Sequence, residues 1–156
     1  MGEREFDIVL WGATGATGRC TAHHLARRCG ERRLRLAIGG RNQEKLETVR
    51  EDLPNTCNPI ALLVGDSHGA AFMEAMTARA QVVVSTVGPF ALYGSELVAA
   101  CVENGTHYSD LAAEPQWMRA MIDAHDKKAH ETDARIVHSC GHDSIRRGEP
   151  PSGGPV

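Results

Sequence analysis

Basic residues are not in excess in this chain, whose formal net charge is -3. A general nucleic-acid surface needs such an excess to neutralise phosphates, so that class is excluded. No apolar run is long enough to span a bilayer. The charged start Met1-Gly2-Glu3-Arg4-Glu5 does not read as a secretory signal, and Phe6 falls where a myristoylation pattern wants Ser or Thr. The five cysteines, Cys20, Cys29, Cys57, Cys101 and Cys140, are scattered and include no C-x-x-C pair. They read as reduced thiols, and a cytoplasmic location is expected.

Self-contained catalytic signatures are also missing. A short-chain dehydrogenase site needs a tyrosine with a lysine four residues on, but Tyr93 leads to Leu97 and Tyr108 to Ala112. There is no G-x-S-x-G and no H-E-x-x-H. His138, Cys140 and His142 would share one face of a strand, which is the beginning of a metal site. No fourth ligand or supporting shell is visible, so no metal is expected. Glu114 and Asp143 read as loop carboxylates with structural roles. No catalytic residue can be named.

What is present is a regular alternation of short apolar runs and helical patterns. The length suits one domain able to bury a core without staples. Strands are expected near 6–11, 34–38, 60–64, 82–87, 107–111 and 135–139. Helices are expected to begin near Gly15, after Asn42, near His68, at Ser95 and at Pro115, with Gly30 stopping the first. Met and aromatic residues in the last helix (Trp117, Met118, Met121 and Ile122) read as core. This pattern predicts an α/β fold, a Rossmann-like doubly wound and mostly parallel sheet of order 3-2-1-4-5-6. It occupies residues 1–145. Residues 146–156, rich in Gly and Pro, are expected to be a disordered tail.

The strongest local signal is the apolar strand Phe6-Asp7-Ile8-Val9-Leu10-Trp11 running straight into Gly12-Ala13-Thr14-Gly15-Ala16-Thr17-Gly18. Glycines at G-x-x-G-x-x-G spacing between a first strand and a first helix let backbone approach a pyrophosphate. The free N–H groups of the helix then point at it. Arg41 closes the second strand where NAD-preferring folds commonly place Asp or Glu. A guanidinium there can bind the additional phosphate of NADP with two charge-assisted bonds, so NADP is expected ahead of NAD. Asn42 can add a donor while capping the next helix. Asp66 can accept from the adenine amino group, or cap a helix instead. Thr86, Val87 and Gly88 end the fourth strand across the switch point and are expected to line the nicotinamide ribose.

In combination these stretches, together with Gly40-Arg41-Asn42, Thr86-Val87-Gly88-Pro89-Phe90, Tyr93-Gly94 and Cys140-Gly141-His142-Asp143-Ser144-Ile145, resemble the saccharopine dehydrogenase-like oxidoreductases. The resemblance is to their NADP-binding domain and covers residues 5–145. Bacterial members include trans-acting enoyl reductases, which act in lipid assembly. It implies NADP-dependent hydride transfer to an enoyl or imine substrate. The sequence departs from the family at His142, where Phe is usual, and at Arg146, where Pro is usual. The family's second, substrate-binding domain is expected to be absent, which leaves two readings open: an oxidoreductase domain, or a dinucleotide-binding module without catalysis. The surface that domain normally covers is a candidate for self-association.

Overall fold

The computed structural model describes residues 4–56 and 58–141. The expected disordered tail, Cys57, His142 and Asp143 lie outside the described residues.

Six parallel strands form one sheet in the order β3-β2-β1-β4-β5-β6. They are β1 (Phe6–Trp11), β2 (Leu36–Gly40), β3 (Ala61–Val64), β4 (Ala80–Ser85), β5 (His107–Asp110) and β6 (Ile136–Val137). The helices are α1 (Ala16–Arg32), α2 (Gln43–Asp52), α3 (Ala70–Ala78), the single turn α4 (Phe90–Tyr93), α5 (Ser95–Glu103) and α6 (Pro115–Thr132). The predicted strand order is thus the observed one. Adjacent parallel strands need crossovers, and the α1 and α2 crossovers cover one face while α3, α5 and α6 cover the other.

Each face has its own core. Leu10, Ala22, Ala26, Ile38, Leu46 and Val49 pack under α1 and α2. Val9, Trp11, Met73, Met76, Val83, Leu97, Val98 and Tyr108 pack under α3 and α5. The β1 residues Val9 and Leu10 point to opposite cores because side chains alternate along a strand. A strand buried on both faces shows a continuous apolar run rather than alternation, as Ile8-Val9-Leu10-Trp11 does.

Several boundaries move from their expected positions. Helix α1 does not stop at Gly30 but runs on to Arg32, and Arg33 takes the left-handed conformation at φ 57°. The Arg33 and Leu34 amides close the end on the Gly30 and Cys29 carbonyls. That delays β2, which extends instead through Gly39 and Gly40, both paired with neighbouring strands. Strand β4 begins two residues early, at Ala80, and ends at Ser85, with the Thr86 amide still donating to the Trp11 carbonyl of β1. Strand β6 is shorter still: Ser139 at φ 61° turns the chain off the sheet edge.

Candidate functional site

The carboxyl ends of β1, β2 and β4 converge on a cleft of about 200 Å³. Gly12, Thr14, Gly15, Arg41, Thr86, Val87 and Gly88 line it, as expected from sequence, and Trp11, Gly40 and Ser67 line it as well. It sits at the point where strand order reverses between β1 and β4, where ligands of such sheets bind.

The three glycines of the turn have different reasons to be glycine. Gly12 lies at φ +95°, and a Cβ there would stand 2.6 Å from the Val87 side chain. A Cβ on Gly18 would come within 2.0 Å of the Gly12 carbonyl oxygen, so α1 could not pack against the turn. Gly15 has no such constraint, since its nearest prospective neighbour is the Gly12 oxygen at 3.8 Å. Its missing side chain opens the cleft rather than serving the packing.

Gly15 is also the N-cap of α1, with no side-chain cap and no acidic residue in the first turn. The amides of that first turn are left without a side-chain cap beside the cleft, at the positive pole of the helix. Thr86 braces the turn from across the sheet: its hydroxyl donates to the Gly12 carbonyl at 3.1 Å. Ala13 is buried and Gly18 lies inside α1, so these two shape the turn from beneath. Ala16 and Thr17 are exposed in the first turn of α1.

Arg41 follows β2 directly, is exposed on the rim of the cleft, and has no ion pair or hydrogen bond among the described residues. Asn42 is the N-cap of α2: its Oδ1 accepts from the Lys45 amide at 2.9 Å. Asp66 is exposed and accepts from the His68 amide at 2.8 Å, forming a turn one step before α3. The N-cap of α3 is Gly69, so Asp66 is not the helix cap that sequence allowed as one alternative. Its neighbour Ser67 is the residue that reaches the cleft, with its Oγ accepting from the Trp11 indole at 3.2 Å. Trp11 is buried in the core and its spacing in the apolar strand gives no sign of the cleft.

Beyond β4 the polar groups serve the framework. Both oxygens of Glu114 cap the single turn α4, accepting from the Phe90 and Ala91 amides at 2.7 and 2.8 Å. Asp110, fully buried, accepts from the Ala112 and Ser139 amides and lies 2.7 Å from Nδ1 of His138. Burial works against its charge most strongly, but His138 and the two amides outweigh it and hold the carboxyl below its usual range. The His138 ring packs edge-on against Trp117 at 5.1 Å. His138 is nearly buried whereas Cys140 is exposed, because Ser139 breaks the strand between them. They therefore do not share a face as the alternation required. No group of three or more His, Cys, Asp or Glu suited to a metal occurs among the described residues.

A glycine-lined helix N-terminus at the switch point of a 3-2-1-4-5-6 parallel sheet defines a dinucleotide-binding α/β domain. Residues 8–137 match the family described as the saccharopine dehydrogenase NADP binding domain, and the chain belongs to that family. Its cofactor is NADP. Trans-acting enoyl reductases of Mycobacterium tuberculosis and Mycobacterium leprae are 49% and 48% identical to it over 143 residues. Each alignment covers 92% of this chain and 34% of the relative, so the chain spans about a third of the length of these curated relatives. Among solved structures, saccharopine dehydrogenase (L-Glu forming) from Saccharomyces cerevisiae superposes with a TM-score of 0.69 at 11% identity. It covers 89% of this chain and 28% of that one. AtPrR2 with NADP+ and (+)pinoresinol superposes with a TM-score of 0.57 at 13% identity, covering 88% and 50%. At these identities the structural likenesses show the fold. No described helix is long and apolar enough to cross a membrane.

Proposed function

We propose that the chain is the nucleotide-holding part of a cytoplasmic NADPH-dependent enoyl reductase. Two things support this reading: the glycine turn beside an unpaired Arg41, and relatives about half identical whose names carry enoyl reduction. Bound NADPH supplies the hydride, and this chain's residues bind and orient the nucleotide. Gly12, Ala13, Thr14, Gly15, Ala16, Thr17 and Gly18 form the pyrophosphate cradle. Arg41, helped by Asn42, holds the 2′-phosphate. Thr86, Val87 and Gly88 lie along the nicotinamide ribose, and Asp66 edges the adenine.

The same relatives favour an oxidoreductase over a non-catalytic binding module, and an enoyl over an imine substrate. The remainder of the relatives' length supplies the substrate pocket in this reading. The edge of the sheet at β6, with Val137 and Ile122 exposed, is the surface through which copies lacking that remainder would self-associate. The test is NADPH oxidation with an enoyl thioester and with an imine, for this chain and for the chain joined to a relative's remaining segment. Oxidation with the enoyl thioester by the joined form supports the proposal. NADPH binding without oxidation by either form returns the module reading, and oxidation with the imine alone replaces the substrate class.

A further inference from the structure

The charge of this chain is unevenly spread. Helix α1 and its cap Arg33 carry Arg19, Arg27, Arg28, Arg32 and Arg33 against a single acid, Glu31, in a chain that is acidic overall. At i, i+4 spacing these side chains and two histidines make two adjoining ridges, Arg19-His23-Arg27 and His24-Arg28-Arg32. All of them are exposed. Only Arg28 is paired, with Glu31 at 3.1 Å; Arg19, Arg27, Arg32 and Arg33 have no ion pair among the described residues. Like charges repeated along one helix face destabilise the isolated helix, and solvation alone does not call for them.

We infer that the exposed face of α1 is a docking surface for a compact acidic protein. The patch runs from Arg19 to Arg33, about 21 Å at the helical rise of about 1.5 Å per residue. Arginine forks match carboxylates bidentately, and complementary charge steers and orients an encounter. The borders of the patch limit what fits. Asp52 shares a hollow with His23, His24 and Arg27, and α2 carries Glu44, Glu47, Glu51 and Asp52 against Lys45 and Arg50, a net acidic helix. A long polyanion such as a duplex would meet Asp52 at the edge of the arginines. A membrane surface lacks its anchor, since the exposed large apolar residues Val64, Leu92, Ile122 and Val137 all lie off α1. A bounded acidic face has neither difficulty.

The probe is a bacterial acyl carrier protein, taken for its compact acidic surface, and its affinity for the whole chain is measured at low salt. Two variants remove equal charge from different places. One is Arg27→Gln with Arg28→Gln and Arg32→Gln on α1; the other is Arg119→Gln with Lys127→Gln and Lys128→Gln on α6. NADPH affinity, followed in parallel, reports that each variant is folded. The expected result is a loss of about tenfold or more for the α1 variant and less than about twofold for the α6 variant, with the difference shrinking in added salt. Equal losses, or no binding of the carrier protein, would overturn the inference. So would tighter binding of a 20-base-pair duplex or of vesicles containing phosphatidylserine, and so would an α1-dependent dimer in light scattering without the probe.

Discussion

The two ends of the sheet's carboxyl edge are built on opposite plans. Around β1 and β2 the cleft is made of backbone: glycines, orphan amides and one free guanidinium. Around β5 and β6 the same edge is filled by side chains, with Asp110, His138, Trp117 and Tyr108 interlocked. The first region is left open for something to enter. The second is built mainly from side chains that contact one another, with a smaller hollow between β6 and α6 beside His138. A binding end must present unsatisfied groups, while a framework end pairs most of its own: Asp110 is fully partnered, and the Tyr108 hydroxyl and His138 Nε2 are buried without a partner among the described residues.

Substitutions at Gly18 and Gly15 sharpen this contrast. Gly18→Ala drives a Cβ into the Gly12 carbonyl, and backbone cannot yield as a flexible side chain does. A loss of NADPH affinity beyond about 100-fold is expected, with stability falling by about 3 kcal/mol or more in chemical denaturation. The framework end should respond differently. Asp110→Ala strips a fully buried carboxylate from His138 and two amides. It should cost about 3–5 kcal/mol of stability while NADPH affinity, measured well below the melting temperature, changes far less. If the two variants lost binding and stability in the same proportion, the division into a binding end and a framework end would fail.

The β5–β6 end contributes to the pH response through Asp110. The Asp110 carboxyl is held below its unfolded range, so its contribution to stability is complete above about pH 3.9, the unfolded value. It declines as the pH falls below that and is gone once the folded carboxyl protonates. Asp7, held low by the Arg35 side chain, acts in the same direction. Denaturation midpoints measured between about pH 5 and pH 2 should therefore fall less steeply for Asp110→Ala than for the unaltered chain. A smaller and more selective effect is expected at Gly15→Ala. With no protein atom closer than 3.8 Å, the added methyl should leave stability within about 0.5 kcal/mol while weakening NADPH binding several-fold.

The same contrast explains what could be read from the chain. The apolar run of β1 and the glycine turn are local in sequence, because a turn needs its glycines in a row, and the strand order followed from the regular alternation of strands and helices. Arg41 was legible for a similar reason, since it directly follows β2. The framework end was not. Asp110 and His138 are 28 residues apart, and only parallel pairing of β5 with β6 brings them together. Ser67 and Trp11, 56 residues apart, meet in the cleft by the same kind of long-range pairing. The end of α1 misled because glycine commonly terminates helices, while here Gly30 stays helical and Arg33 takes the left-handed position. His138 and Cys140 do not share the face that alternation required, because alternation holds only while a strand lasts, and β6 ends at Val137.

The central claim is that an open backbone cradle together with Arg41 selects NADPH. Titration of NADPH and NADH by nicotinamide fluorescence, for the unaltered chain and for Arg41→Ala, tests it most directly. The unaltered chain should prefer NADPH, and Arg41→Ala should lose about 10–100-fold in NADPH affinity with NADH nearly unchanged. Equal losses for the two nucleotides, or no preference to begin with, would contradict it.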